Sequence, residues 1–402
     1  MREGWEIKKL GEVIQKTETV DPTQKPDIDF LYVDVSSVNN QGFFVENTTM
    51  LKGKDAPSRA RKLIRTNDVI FATVRPTLKR IAIIEDDLDE QVCSTGYFVL
   101  RAKDIINYKF LFYYLLTDGF MAKMESLQKG ASYPAITDGE VRNQTINYPK
   151  SLPEQQRIVA ILDEAFVAIA KAKANAEQNL RNAKELFESY LQGVFEEKGD
   201  GWEEKALEQL VDEKCTLSYG IVQPGEEYID GLPIVRPTDL TEKFISLNGL
   251  KRIDPKLADG YKRTKLDGNE LLLCVRGSTG VVSIALKELE GSNVTRGIVP
   301  IRFQTKIINQ EFGYYLLVSG YVQKQIKEKT YGAALMQINI GDLRKIRTPY
   351  PSLTIQQTIV QKLDTLSAET QKLEAIYQQK INDLEEMKKS ILQKAFSGEL
   401  TK

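Results

Sequence analysis

The chain repeats itself at a fixed interval, and that limits the folds open to it more than any other feature. Ser151-Leu152-Pro153-Glu154-Gln155-Gln156-Arg157-Ile158-Val159 lies over Ser352-Leu353-Thr354-Ile355-Gln356-Gln357-Thr358-Ile359-Val360 at a shift of 201, the distance from Ile158 to Ile359. The shift runs on without a gap to Ser189-Tyr190-Leu191-Gln192 over Ser390-Ile391-Leu392-Gln393, and to Phe195 over Phe396. Within the first copy Ile158, Leu162, Ala165, Ile169, Ala172, Ala176, Asn179, Ala183, Leu186 and Tyr190 step by four and three, the seam of a packed helix pair. Ile359, Leu363, Leu366, Thr370, Leu373, Tyr377, Lys380, Leu384, Met387 and Ile391 hold the same places in the second, with polar interruptions at Asn179 and Lys380.

Each stripe needs a partner. The simplest is the other copy, because the first stripe often has Ala where the second has Leu or Tyr, and small against large fills a seam. A lone amphipathic helix is ordinary core packing; a duplicated one of about 45 residues, roughly 65 Å long, reads as a spacer rod. Phe166, Leu180, Phe187, Leu191 and Val194 lie beside the seam, as either a second docking surface or a wider core face.

A chain of 402 residues is too long for one core. The repeat divides it into globular parts at 1–150 and 199–350 and helical segments at 151–198 and 351–402. Gly4-Trp5-Glu6 opens the first unit and Gly201-Trp202-Glu203 the second. Val69-Ile70-Phe71-Ala72-Thr73-Val74-Arg75 reads as a buried strand ending on a basic residue, with Leu271-Leu272-Leu273-Cys274-Val275-Arg276 as its counterpart. Asn107, Phe110 and Tyr113 match Asn309, Phe312 and Tyr315 at the start of a Tyr/Leu-rich helix, and a small-residue loop follows in each unit: Gly130-Ala131-Ser132-Tyr133-Pro134 and Tyr331-Gly332-Ala333-Ala334-Leu335. Strands with one or two helices make each globular part α+β.

Histidine is absent, which removes the usual general base and imidazole metal ligands. Cys93, Cys215 and Cys274 lack metal-site spacing and read as buried thiols. No phosphate-binding Gly-rich loop, dinucleotide fingerprint or amino-methyltransferase motif occurs, and the acidic run Glu85-Asp86-Asp87-Leu88-Asp89-Glu90 reads as a solvated turn. No run of 18 apolar residues and no signal peptide is seen, so a cytoplasmic location is expected. A net charge of -1 decides nothing about nucleic acid, since a basic face is local. Basic and hydroxyl loop clusters are the positive signal: Arg59, Arg61, Lys62 and Arg65, then Arg75-Pro76-Thr77-Leu78-Lys79-Arg80; and Lys262, Arg263 and Lys265, then Arg276-Gly277-Ser278-Thr279. Taken singly each is a solvated loop. At matching places in both units they read as a contact surface for bases and phosphates.

This order of parts, with Leu152-Pro153-Glu154-Gln155-Gln156-Arg157-Ile158-Val159 leading into a long helix and a degraded second copy, resembles the specificity subunit of type I restriction-modification systems along the whole chain. Tyr219-Gly220-Ile221-Val222-Gln223-Pro224-Gly225 and Val235-Arg236-Pro237-Thr238-Asp239-Leu240 also match that family, whereas Val33-Asp34-Val35-Ser36-Ser37 is looser. The resemblance implies two target recognition domains, each reading half of a split site on double-stranded DNA, held apart by the two long helices packed as an antiparallel coiled-coil pair. It implies a subunit without chemistry of its own, two methyltransferase subunits carrying S-adenosylmethionine, and restriction subunits driven by ATP and Mg. The expected DNA contacts are Arg75, Thr77, Lys79, Arg80, Ser132 and Tyr133 in the first unit, and Tyr219, Arg276, Ser278, Thr279, Tyr331 and Gln337 in the second. The competing reading is a pseudo-symmetric coiled-coil adaptor that binds proteins.

Overall fold

A computed structural model describes residues 3–214, 217–332 and 336–401; Cys215 and the loop residues Ala333, Ala334 and Leu335 lie outside them. The chain forms two compact units, one of Met1–Glu177 with Gln378–Lys402, the other of Gln178–Tyr377. The helices Leu152–Glu196 and Leu353–Ser397 each contribute residues to both units.

In the first unit, strand Trp5–Lys9 pairs antiparallel with Thr145–Pro149 and closes the globular part just before the long helix starts. Inside it, Val69–Ala72 runs between Tyr97–Leu100 and Ile81–Ile83, and the four-residue apolar runs are buried on both faces, as a central strand requires. A second, mixed sheet orders Thr49–Lys52, Asp29–Val33, Val92–Ser94 and Ala60–Leu63. Helices Tyr108–Leu115 and Asp118–Leu127 follow; the Asn107 side chain caps the first by accepting from Lys109 and Phe110 N–H. The second unit repeats the plan. Glu203–Ala206 pairs with Arg347–Tyr350, Leu271–Cys274 sits between Val282–Ala285 and Ile298–Ile301, and Asn309 caps helix Gln310–Val318. The units differ at two sheet edges: Ala60–Leu63 runs antiparallel to its neighbour in the first, whereas in the second Ile221 makes a parallel bridge to Thr295, and Phe244–Ile245 adds a parallel strand beside Val282–Ala285.

Within each unit the start of one long helix meets the end of the other. Ile158 and Leu162 share the first core with Leu392 and Ala395, and Lys173 pairs with Glu385, so the helices run antiparallel there. Leu191 and Phe195 share the second core with Val360 and Leu363. Phe396 packs on Phe110 at 4.8 Å in the first unit, and Phe195 on Phe312 at 5.5 Å in the second.

Ile158, Leu162, Ile169 and Leu363 are buried, and Ile359, Leu384 and Ile391 are half-buried. Leu186, Tyr190 and Leu373 are not seam residues: they are 51%, 40% and 38% exposed. A 3.6-residue helix drifts about 20° per heptad, and the last turns must also face a globular core rather than a helix. The buried track therefore leaves Ala183 through Phe187, Leu191 and Phe195. Phe166, Phe187 and Val194 likewise pack against the cores, which makes them part of a wide core face rather than free surface. Asn179 and Lys380 are exposed. The polar insertion is instead Lys388, which occupies the place of Phe187 and lies over the rings of Phe166 and Phe43 at 4.8 and 5.1 Å; burial lowers its pKa.

Gln155 fixes the first helix start. Its fully buried amide accepts from Asn107 N–H at 2.7 Å and donates to the carbonyls of Ile105 and Pro149. Gln356 repeats this with Asn309 N–H and the carbonyls of Ile307 and Pro351. Two turns on, Tyr113 donates to Asp163 and Tyr315 to Asp364, each carboxylate also taking a lysine, Lys109 or Lys243.

Gln155→Leu or Gln356→Leu strands three buried backbone groups. At about 1–3 kcal/mol for each unsatisfied group, either variant is expected to lose 3 kcal/mol or more on the same estimate, read from urea unfolding. Glu204 gives a pH test. Lys198, bonded at 2.7 Å, together with Arg347 and Tyr321, holds its pKa down at about 2 against an ordinary 4.5. A depressed carboxyl contributes stability above its unfolded value and loses it as pH falls through the folded one. Thermal midpoints should therefore decline between pH 4.5 and about 2 in the parent, and Glu204→Gln should lack that step.

Candidate nucleic-acid interface

In each unit the central strand leaves its sheet and is caught by the returning loop. Thr73 N–H bonds to Gly96 carbonyl and Ile136 N–H to Thr73 carbonyl; Val275 N–H bonds to Gly297 and Ile338 N–H to Val275 in the same way. Val74 bridges Ala135, which also bridges Lys129; Arg276 bridges Gln337, which also bridges Tyr331. The central strand and the returning loop therefore superpose at a shift of 202, with Gly96 and Gly297 at 201, and this corrects the register read from sequence. Arg276 is the counterpart of Val74, and Arg75 is the counterpart of Gly277. Both members of the second pair have left-handed backbone, φ 49° for Arg75 and 86° for Gly277, and both donate N–H to the opposite loop, at Pro134 and Met336.

The side chains on this shared frame differ. Arg75 stacks its guanidinium over Tyr133 at 4.7 Å and donates to Ser132 carbonyl at 3.2 Å; Tyr133 is 71% exposed. These three residues form one exposed cationic and aromatic platform. Thr77 is exposed on the following 3₁₀ turn, and Lys79, also left-handed, lies 4.0 Å from Asp118. Arg80 belongs elsewhere: its guanidinium donates to the carbonyls of Val35 and Val38, so it braces the turn at residues 35–37. The other basic cluster is also engaged. Arg61 pairs with Asp21, Arg65 with Glu18, and Lys62 with Asp138 at 2.7 Å.

In the second unit Ser278 is exposed, and Thr279 donates its hydroxyl to Met336 carbonyl at 3.1 Å, fastening the two loops together. Tyr331 is half exposed and tied to Gln337 by reciprocal backbone bonds. Tyr219 lies 6.0 Å from the Arg296 guanidinium, beside Arg276 and Thr295. Sequence reading had passed over Thr295 and Arg296. The available signal was a second repeat, Ser94-Thr95-Gly96 over Thr295-Arg296-Gly297 at the shift of 201. Cys93 and Cys274 are buried thiols, the former pushed up to about 12 by burial.

Among the described residues no helix is long and apolar enough to cross a membrane. The family model for the type I restriction modification DNA specificity domain matches residues 2–178 and again 199–386. The EcoBI type I restriction enzyme specificity subunit of Escherichia coli is 25% identical over 336 residues, covering 78% of this chain and 69% of that protein. The crystal structure of the HsdS subunit from Thermoanaerobacter tengcongensis is similar over 100% of this chain and 98% of that one, with 30% identity and a TM-score of 0.71. A chain from a structural study of complex assembly and conformational transition in the type I R-M system matches at 28% identity and a TM-score of 0.82, covering 100% and 99%.

Arg75 and Arg80 should separate under substitution. Arg75→Gly relieves a left-handed residue costing about 1–2 kcal/mol and adds glycine's entropy of about 0.5–1 kcal/mol, so unfolding free energy should stay within about 1 kcal/mol of the parent on these magnitudes. Arg80→Ala removes charged donors from two carbonyls and should cost about 1.5–3 kcal/mol in the same denaturant titration.

Proposed function

Because the chain belongs to the family of type I restriction-modification DNA specificity subunits, we propose that its two globular parts each read one half of a bipartite duplex site while the helix pair fixes the interval between the halves. It is the non-catalytic subunit of such a system. The observation that carries the reading is the loop frame used twice with unlike side chains: Arg75 with Tyr133 in one unit, Gly277 with Arg276 one residue back in the other. A common backbone presents itself to DNA in the same way, and different groups on it select different bases, which suits an asymmetric site. Arg75, Ser132, Tyr133, Thr77 and Lys79 are the proposed contacts of the first unit; Arg276, Ser278, Thr279, Tyr331, Gln337 and Tyr219 those of the second.

Methyltransferase subunits carrying S-adenosylmethionine would modify a base turned out of the stack, and restriction subunits would supply ATP- and Mg-dependent cleavage. Docking of two methyltransferases is proposed on the outer helix surface. Leu186 and Met387 occupy the same place in the repeat, fall in different units, and are both 51% exposed, so each unit offers an equivalent apolar foothold.

Inserting seven residues into each long helix, beside Glu177 and Gln378, preserves the apolar stripe and adds about 10 Å, or roughly three base-pair steps of 3.4 Å. The expected outcome is an altered number of unread base pairs with both half-sites retained, measured by methylation-sensitive sequencing of host DNA. New half-sites with the old interval would defeat the proposal.

A further inference from the structure

Beside Arg276 the second unit has a recess. Ile221, Val222, Pro224 and Pro237 wall a volume of about 300 Å³, and Arg276, Thr295 and Arg296 give it polar groups. Two of those groups have no hydrogen-bond partner among the described residues: Oγ1 of Thr295, a residue only 9% exposed, and the buried Nε of Arg276. A buried donor left open is costly and uncommon, and it points to a partner that arrives from outside. In the first unit the corresponding positions are Val74, Ser94 and Thr95; Ser94 is buried and its hydroxyl oxygen accepts from Gly96 N–H at 3.2 Å, so it is not without a partner. The open donors are therefore a property of one unit, not of the fold.

We propose that this recess takes the major-groove edge of a guanine in the half-site read by the second unit, with Arg276 as the reading residue and Thr295 as an accessory donor. The inference rests on the DNA-reading function proposed above. Guanine presents two adjacent acceptors, N7 and O6, that match a guanidinium fork. The apolar walls suit the flat face of a base, which is itself apolar, and the methylation mapping below separates a base from a phosphate. The backbone of Arg276 is fixed by its bridge to Gln337 and by the left-handed Gly277 that follows, so the fork is presented from a rigid position.

The test uses the full chain together with its methyltransferase subunit, as parent, Arg276→Ala and Thr295→Val. In methylation mapping, Arg276→Ala should tolerate other bases at one guanine of one half-site, with discrimination there falling about tenfold or more, as for loss of a bidentate contact. The other half-site and the interval should not change. A duplex with 7-deazaguanine at that position should weaken the parent and leave Arg276→Ala indifferent. Thr295→Val should reduce discrimination at the same position while raising the thermal midpoint of the free protein, because it removes an orphan hydroxyl; a structural hydroxyl would give a fall. Uniform weakening across sequences with a smaller salt slope would make Arg276 a phosphate contact and overturn the inference. An unchanged methylation pattern would show that the recess does not touch DNA. If the parent methylates no defined sequence, the DNA-reading function itself fails, a result distinct from either.

Discussion

One amide, used twice, settles where the long helices are anchored. Gln155 and Gln356 each join three backbone groups that sheet and helix geometry leave open: the N–H of a capping asparagine and two carbonyls on the connections around it. Because these groups are buried, water cannot replace the glutamine. The helix axis is thereby locked to the globular part at its first turn, and the Tyr113–Asp163 and Tyr315–Asp364 bonds repeat the lock farther along. Whatever direction the long helix takes, the loops that carry Arg75 and Arg276 take with it.

The cation that completes each carboxylate site comes from a different element in each unit. Lys109 lies on the helix after the capping asparagine, whereas Lys243 adjoins the short strand Phe244–Ile245 and also lies over the Tyr314 and Tyr315 rings. Position is therefore held by the tyrosine and carboxylate, and the counter-charge is free to come from elsewhere. The same separation of frame from content recurs at the reading loops. Backbone bonds at Thr73 and Val275 are conserved in kind, while Val74 faces Arg276 and Arg75 faces Gly277 across the repeat.

Much of this was legible in the sequence. A long two-sided helix displays its period, and an ungapped repeat displays it twice, so both long helices and the buried strands could be read directly. Leu186 and Tyr190 are exposed because a heptad presumes a helical partner throughout, and here the last turns of that helix face the core that holds Phe312; the exposure of Leu373, in mid-helix, has no such cause. The loop register failed by one residue because identity of side chain, Arg with Arg, is a weaker guide than identity of backbone, where a left-handed arginine stands for a left-handed glycine. Arg80 looked like a free cation because its carbonyl partners lie more than forty residues away in sequence. The recess beside Arg276 was invisible for the same reason: it is assembled from segments near residues 221, 237, 276 and 295.

The division of the chain also sets an order on its synthesis. The second unit is one continuous stretch, Gln178–Tyr377, but the first needs residues from Gln378 onward to cover Phe110 and complete a core shared with Leu392 and Ala395. At about 5–20 residues per second, the ribosome supplies that cover on the order of ten seconds or more after Glu177. The part made first is the part finished last, and during that interval its apolar helix face is the surface most in need of a chaperone.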